Sequence, residues 1–216
     1  MAMFQSEIPF HGMRDIDACV EIIRSFYVRG WVLGTGGNFS VLLTRKPFRL
    51  AITSSGIDKG IIAPEHFPHV DASGNVVEGT GKPTAEAGLH LAVLAAVNAG
   101  AVFHTHSVWA TLLSTIYFPS GGLHIEGYEM LKGLHGVDSH THREWLPIIE
   151  NSQNIPSLGD TVQKLLEESP TVHGFLIRGH GLYTWGKTIY EAKQHVEIFE
   201  FLLEVIGRRR TMLIET

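Results

Sequence analysis

Two histidines one residue apart, His104 and His106 in Val102-Phe103-His104-Thr105-His106, are the side chains whose type and spacing point most directly to chemistry. In an extended strand alternate side chains share a face, so both imidazoles can reach one divalent ion. Imidazole suits zinc, although other first-row ions share such ligands. Catalytic zinc takes three protein ligands and keeps a position open for water or substrate. A third ligand is therefore needed. With Cys19 the only cysteine in 216 residues, a thiolate cage and an intrachain disulfide are both excluded. The ligand must come from His, Asp or Glu.

A rival pair, His140-Thr141-His142, has the same spacing, and spacing alone does not separate the two. Context favours the first, which ends the apolar run Gly100-Ala101-Val102-Phe103, whereas the second lies among Asp138, Ser139, Arg143 and Glu144. Rigid elements position ligands better than solvated loops. For the third ligand His180 stands out, because Gly179 and Gly181 let the backbone approach closely at the end of an expected strand. His173, His90 and His195 compete less well; His195, on an apolar helix face, and His90 are expected to be packed histidines.

The elements that must position these groups follow from periodicity. Ile16, Cys19, Val20, Ile23, Phe26 and Tyr27 share one helical face, with Gly30 as terminator, so Cys19 is core filling. Gly34-Thr35-Gly36-Gly37-Asn38 is a glycine-rich loop leading to a strand at Val41–Leu43, followed by another at Leu50–Thr53. A helix is expected to open within Gly81–Glu86 and to run to about Asn98, with Thr84 at its N-terminus and Glu86 in its first turn. Ser157 with Asp160 marks a helix start. Val172–Ile177 and Leu182–Trp185 are expected strands, the latter's Tyr183 and Trp185 packing outside the site. Thr188 and Glu191 form a capping box for a last helix.

Helices and strands mix without βαβ alternation, which predicts a layered α/β domain with a mixed, largely antiparallel sheet. One domain over residues 1–216 is expected, with a flexible N-terminus of about 12 residues. An apolar fraction of 44% and a charged fraction of 18% are ordinary for a globular chain. A net charge of −5 gives no diffuse attraction to nucleic acid or anionic membrane. The basic run Arg208-Arg209-Arg210 fits a helix C-terminus, where cations are favoured. There is no signal-peptide pattern and no apolar run near roughly 18 residues, so a cytoplasmic protein without membrane or nucleic-acid partners is expected.

Gly36-Gly37-Asn38-Phe39-Ser40, Ile52-Thr53-Ser54-Ser55-Gly56, Pro83-Thr84-Ala85-Glu86, His104-Thr105-His106 and His180-Gly181 together resemble the class II, zinc-dependent aldolase superfamily over about Asp15 to Ile206. The resemblance implies a three-layer α/β/α fold, one zinc per subunit on His104, His106 and His180, a homotetramer with active sites near subunit boundaries, and a small phosphorylated ketose as substrate. It maps a phosphate site onto Asn38, Ser55, Gly56 and Thr84, to which Lys59 could add charge. Tyr128-Glu129-Met130-Leu131-Lys132-Gly133, Pro147–Asn151 and Arg178–Gly186 are most similar to the family's dehydratases of methionine salvage. That branch implies loss of water from 5-methylthioribulose 1-phosphate, with Glu129 as proton shuttle and Glu86 as a supporting or substrate-contacting carboxylate. A sugar-phosphate aldolase or 4-epimerase using Glu86 as acid/base is the alternative. A non-catalytic module like the adducin head is disfavoured by the three histidines.

Overall fold

The computed structural model describes residues 13–212; the stretch expected to be flexible, 1–12, lies outside the described residues. The first periodic run forms α1 (Met13–Val28), and Ile16, Cys19, Val20, Ile23 and Phe26 are all buried along it. Gly30, with φ of 75°, turns the chain just beyond. Then follow β1 (Asn38–Arg45), β2 (Phe48–Ile52), β3 (His69–Val70), β4 (Val76–Glu78), α2 (Ala87–Ala96) and β5 (Ala101–Thr105). The second half comprises α3 (Val108–Tyr117), β6 (Gly122–Ile125), β7 (Glu144–Ile149), α4 (Ile155–Glu168), β8 (Gly174–Ile177), β9 (Gly181–Gly186) and α5 (Ile189–Met212).

The strands form one sheet in the order β4-β3-β2-β1-β5-β9-β8-β7-β6. Only β7 and β8 run parallel; the other neighbours are antiparallel. The sheet is therefore mixed and largely antiparallel. Strand β5 lies at its centre between β1 and β9, and every residue of β5 is buried, as expected of a strand covered on both faces.

Two helical layers sandwich the sheet. On one face, Leu89, Val93 and Leu94 of α2 and Leu158, Val162 and Leu166 of α4 pack on Leu42, Ile52, Val102, Phe175 and Tyr183. On the other, α1 covers Phe39, Ala51 and Phe103, while α3 and α5 cover Leu146, Leu176 and Leu182. Each such fully buried large apolar side chain contributes about 1.5–3 kcal/mol. The result is an α/β/α sandwich whose central strand carries His104.

Several boundaries differ from expectation. Strand β1 starts at Asn38, because that residue already pairs with His104 across the ladder. Helix α2 starts at Ala87, so Thr84 and Glu86 precede it; Thr84 is engaged instead by Ala87 N–H, which donates to its carbonyl at 3.1 Å. Helix α4 is capped by Asn154, whose Oδ1 accepts from Ser157 N–H at 3.2 Å, with Pro156 in its first turn. Helix α3 is additional to the expected elements: Val108, Thr111, Thr115, Ile116 and Tyr117 are mediocre helix formers, and packing against α5 and the sheet outweighs that propensity. No helix among the described residues is long and apolar enough to cross a membrane.

Candidate active site

The site lies where β5 ends beside the start of β9. His104 is within β5, while His106 falls just past the strand, its N–H donating to the Trp31 carbonyl at 2.8 Å. His180 precedes β9. A Cβ at Gly181 would overlap the Thr105 carbonyl oxygen, so glycine is what allows the two strand ends to close and brings His180 beside His104. Gly37, with φ of 74°, performs the same service on the β1 side: a Cβ there would lie 2.7 Å from the His104 carbonyl oxygen.

One nitrogen from each of His104, His106 and His180 lies within 4.8 Å of the others. His104 Nε2 is 2.7 Å from His106 Nε2 and 3.3 Å from His180 Nε2. His104 Nδ1 donates to the Leu182 carbonyl at 2.8 Å, which leaves its Nε2 with a free lone pair. Burial, and then the neighbouring His106 and His180, hold the His104 pKa well below the ordinary value. Burial, followed by His180, lowers that of His106 to about 4. Imidazole nitrogens gathered this closely are a donor set for a divalent cation, and three of them leave coordination positions open. Among the described residues, His180 Nδ1 has no hydrogen-bond partner.

Glu86 stands over this cluster, one oxygen 3.5 Å from His104 Nε2 and the other 3.5 Å from His180 Nε2. Its side chain does not cap α2. Asn38 Nδ2 donates to Glu86 Oε2 at 2.7 Å, and the Tyr183 hydroxyl donates to the same oxygen at 2.6 Å. Tyr183 also stacks on His104, with ring centroids 4.0 Å apart. It therefore belongs to the site, contrary to its expected role as strand packing alone. The sequence offers no cue to this, because the contact depends on the register that sets Tyr183 opposite His104.

His90 is fully buried, as expected of a packed histidine, yet it also supports the site. Its Nε2 donates to Asn38 Oδ1 at 2.5 Å, and its Nδ1 accepts from the Ser40 hydroxyl at 2.8 Å. The Asn38 carboxamide, expected on phosphate, is thus held between His90 and Glu86.

A cavity of about 480 Å3 opens beside the cluster, lined by Asn38, Ser55, Gly56, Lys59, Thr84, Glu86 and His106 among others. Lys59 is 1% exposed, and its Nζ donates to the carbonyls of Thr35 and Ile57, at 3.1 and 3.0 Å. Burial lowers its pKa to about 8. An ammonium held by two carbonyls, with Asp58 acting on it only through its charge and not through an ion pair among the described residues, suits an incoming anion.

Glu129 is not in this group. It lies on the 3-10 turn Glu129–Gly133, is 68% exposed, pairs with Lys132, and sits 3.4 Å from His140. The rival histidine pair serves carboxylates: His140 faces Glu129, and His142 Nε2 is 2.7 Å from the buried Glu144.

The family model for the class II aldolase and adducin N-terminal domain matches residues 17–206. The methylthioribulose-1-phosphate dehydratase of Pectobacterium atrosepticum is 44% identical over 85% of this chain and 89% of its own. That of Methylococcus capsulatus is 43% identical over 83% and 86%. Among solved structures, the L-fuculose-1-phosphate aldolase of Thermus thermophilus superposes with a TM-score of 0.75 at 21% identity, covering 93% of this chain and 98% of that one. The central strand, the glycine-closed histidine cluster and these matches lead to one conclusion: the chain belongs to the class II aldolase family.

Proposed function

We propose that this chain is a zinc-dependent hydro-lyase of methionine salvage, converting 5-methylthioribulose 1-phosphate to 2,3-diketo-5-methylthiopentyl 1-phosphate and water. The observation that carries this reading is identity of 43–44% with proteins named for that dehydration, over more than four-fifths of the chain. The substrate has a C2 ketone beside a C3 hydroxyl, with the phosphate on C1.

His104, His106 and His180 would hold the ion, and zinc bound there supplies the positive charge that polarises the ketone and acidifies the C3 hydrogen. Lys59, Ser55, Gly56 and Thr84 would bind the phosphate in the cavity, the lysine giving the charge and the others hydroxyl and backbone donors. Glu129 would take the C3 proton and return one to the departing C4 hydroxyl, leaving an enol that becomes the C3 ketone. Glu86, held by Asn38 and Tyr183, would orient the substrate hydroxyls beside the ion.

Since Glu129 does not line the cavity of its own chain, we assign it to the site of a neighbouring subunit in a homotetramer. Val108 and Leu112, one turn apart on α3 and 71% and 45% exposed, supply apolar surface for such contacts. A cytoplasmic setting accords with the single, buried cysteine.

The test is product identity: incubation with 5-methylthioribulose 1-phosphate and mass spectrometry should show the diketone, one water lighter than substrate. A second reading, a sugar-phosphate aldolase or 4-epimerase with Glu86 as acid/base, is favoured by the 3.5 Å approach of Glu86 to both His104 and His180. Carbon–carbon cleavage to an aldehyde and a three-carbon ketone, or a product of unchanged mass, would support that reading instead.

A further inference from the structure

Glu200 is the one carboxylate of α5 facing the sheet core near the site, 2% exposed and set between Val196 and Leu203 on the buried face of the helix. The Thr105 hydroxyl donates to its Oε1 at 2.6 Å, and Ser107 lies near enough for its side chain to lower the Glu200 pKa. Those two residues bracket His106.

The placement answers a structural need. Strand β5 ends at Thr105 and α3 begins at Val108, so His106 sits in a two-residue corner without ladder partners beyond its bond to the Trp31 carbonyl. By strand alternation Thr105 faces away from the histidine cluster, into the layer occupied by α5. Ser107 Oγ accepts Ala110 N–H at 3.0 Å as the cap of α3, which leaves its hydroxyl proton free to turn towards Glu200. A buried carboxylate is costly compared with an apolar side chain of the same volume, so packing does not account for it. Burial, opposed by the Ser107 and Thr105 hydroxyls, raises its pKa to about 7.

We propose that Glu200 is a positioning residue for the metal centre, fixing the His106 imidazole by holding the residues on either side of it from behind the sheet. This rests on the assignment of the three histidines as ligands. Removing a carboxylate that orients a ligand typically weakens metal binding by about 10–100-fold.

The experiment compares full-length wild type, Glu200→Leu and Glu200→Gln. It measures the zinc dissociation constant by chelator competition, the visible spectrum of the cobalt-substituted proteins, and thermal unfolding of the metal-free proteins. We expect Glu200→Leu to fold but to bind zinc about 10–100-fold more weakly, with displaced cobalt bands. Glu200→Gln, which keeps an acceptor for Thr105, should lie between. Wild-type affinity and cobalt spectrum in both variants, with any effect confined to unfolding temperature, would overturn the proposal. Should Glu200→Leu fail to fold, an unaltered zinc affinity and spectrum in Glu200→Gln would do the same. A wild type that binds no zinc overturns the metal centre itself, and this inference with it.

Discussion

The Tyr183 hydroxyl donates a 2.6 Å hydrogen bond to Glu86 Oε2. Burial, reinforced by the adjacent Glu86 charge, keeps the Tyr183 phenol pKa well above its ordinary value, so the phenol remains a donor at any working pH. Tyr183→Phe would keep the ring on His104 while removing this donor. Hydrogen bonds to charged groups are worth about 1.5–3 kcal/mol, so kcat is expected to fall about 10–100-fold with zinc content unchanged. Steady-state kinetics beside metal analysis checks this; an unaltered kcat would remove Tyr183 from the site.

The phosphate assignment predicts a pH dependence. Lys59 has a pKa lowered to about 8 by burial, so in the free protein it is charged below that value and loses its proton as pH rises through it. KM for the phosphorylated ketose should climb above about pH 8 while kcat changes little. Lys59→Met should raise KM about 10–100-fold and flatten that climb. A KM in the variant equal to that of wild type at pH 7 would exclude Lys59 from the phosphate site.

Acid should destabilise the metal-free protein in a defined window. Burial lowers the pKa values of His90 and His195 from 6.5 to about 4. Between those limits the unfolded chain binds more protons than the folded one, so stability falls as pH drops from 6.5 towards 4. Each group contributes at most about 1.4 kcal/mol per pH unit. His173 and Glu200 act oppositely: burial would lower the His173 pKa, but the hydrogen bond to Glu144 prevails and raises it, while burial raises that of Glu200 to about 7. Their stabilising contributions are full below 6.5 and 4.5 respectively and are lost as pH rises through each folded value. Urea unfolding at pH 5, 6 and 7 measures the balance, and a stability at pH 5 equal to that at pH 7 would contradict it.

Placing Glu129 in a neighbour's site predicts complementation. Glu129→Gln should retain zinc and lose water elimination; His180→Ala should lose both. Co-expressed in one mixed oligomer, the two inactive chains would form some sites with intact histidines from one and an intact Glu129 from the other. Dehydration should reappear in the purified mixed oligomer, and none would reappear if both groups acted within one chain.

Much of this architecture can be read from local pattern. The face of α1 and the apolar run of β5 are periodic, and the His-x-His step announces two neighbouring imidazoles, although His106 lies just past the end of β5 and is held there by the Trp31 carbonyl. Of the glycines beside His180, Gly181 announces a close backbone approach, while Gly179 serves a left-handed turn with φ of 61°. What escapes are relationships fixed by register and layer. Tyr183 meets His104 only because β9 pairs with β5 in one alignment. Glu200 does leave a trace, a glutamate at helical spacing on an otherwise apolar face, but its partners Thr105 and Ser107 lie about ninety residues away. Helix α3 is hidden by residues of middling propensity, and the start of α2 by a turn whose Pro83 and Thr84 resemble a helix opening.

The central claim, that a three-histidine zinc centre carries out the loss of water, is tested most directly by metal restoration. Protein stripped by chelator and assayed with 5-methylthioribulose 1-phosphate should be inactive. Dehydration should return in proportion to added zinc and saturate at one ion per chain. Full water elimination by protein shown by metal analysis to be free of metal would contradict the account.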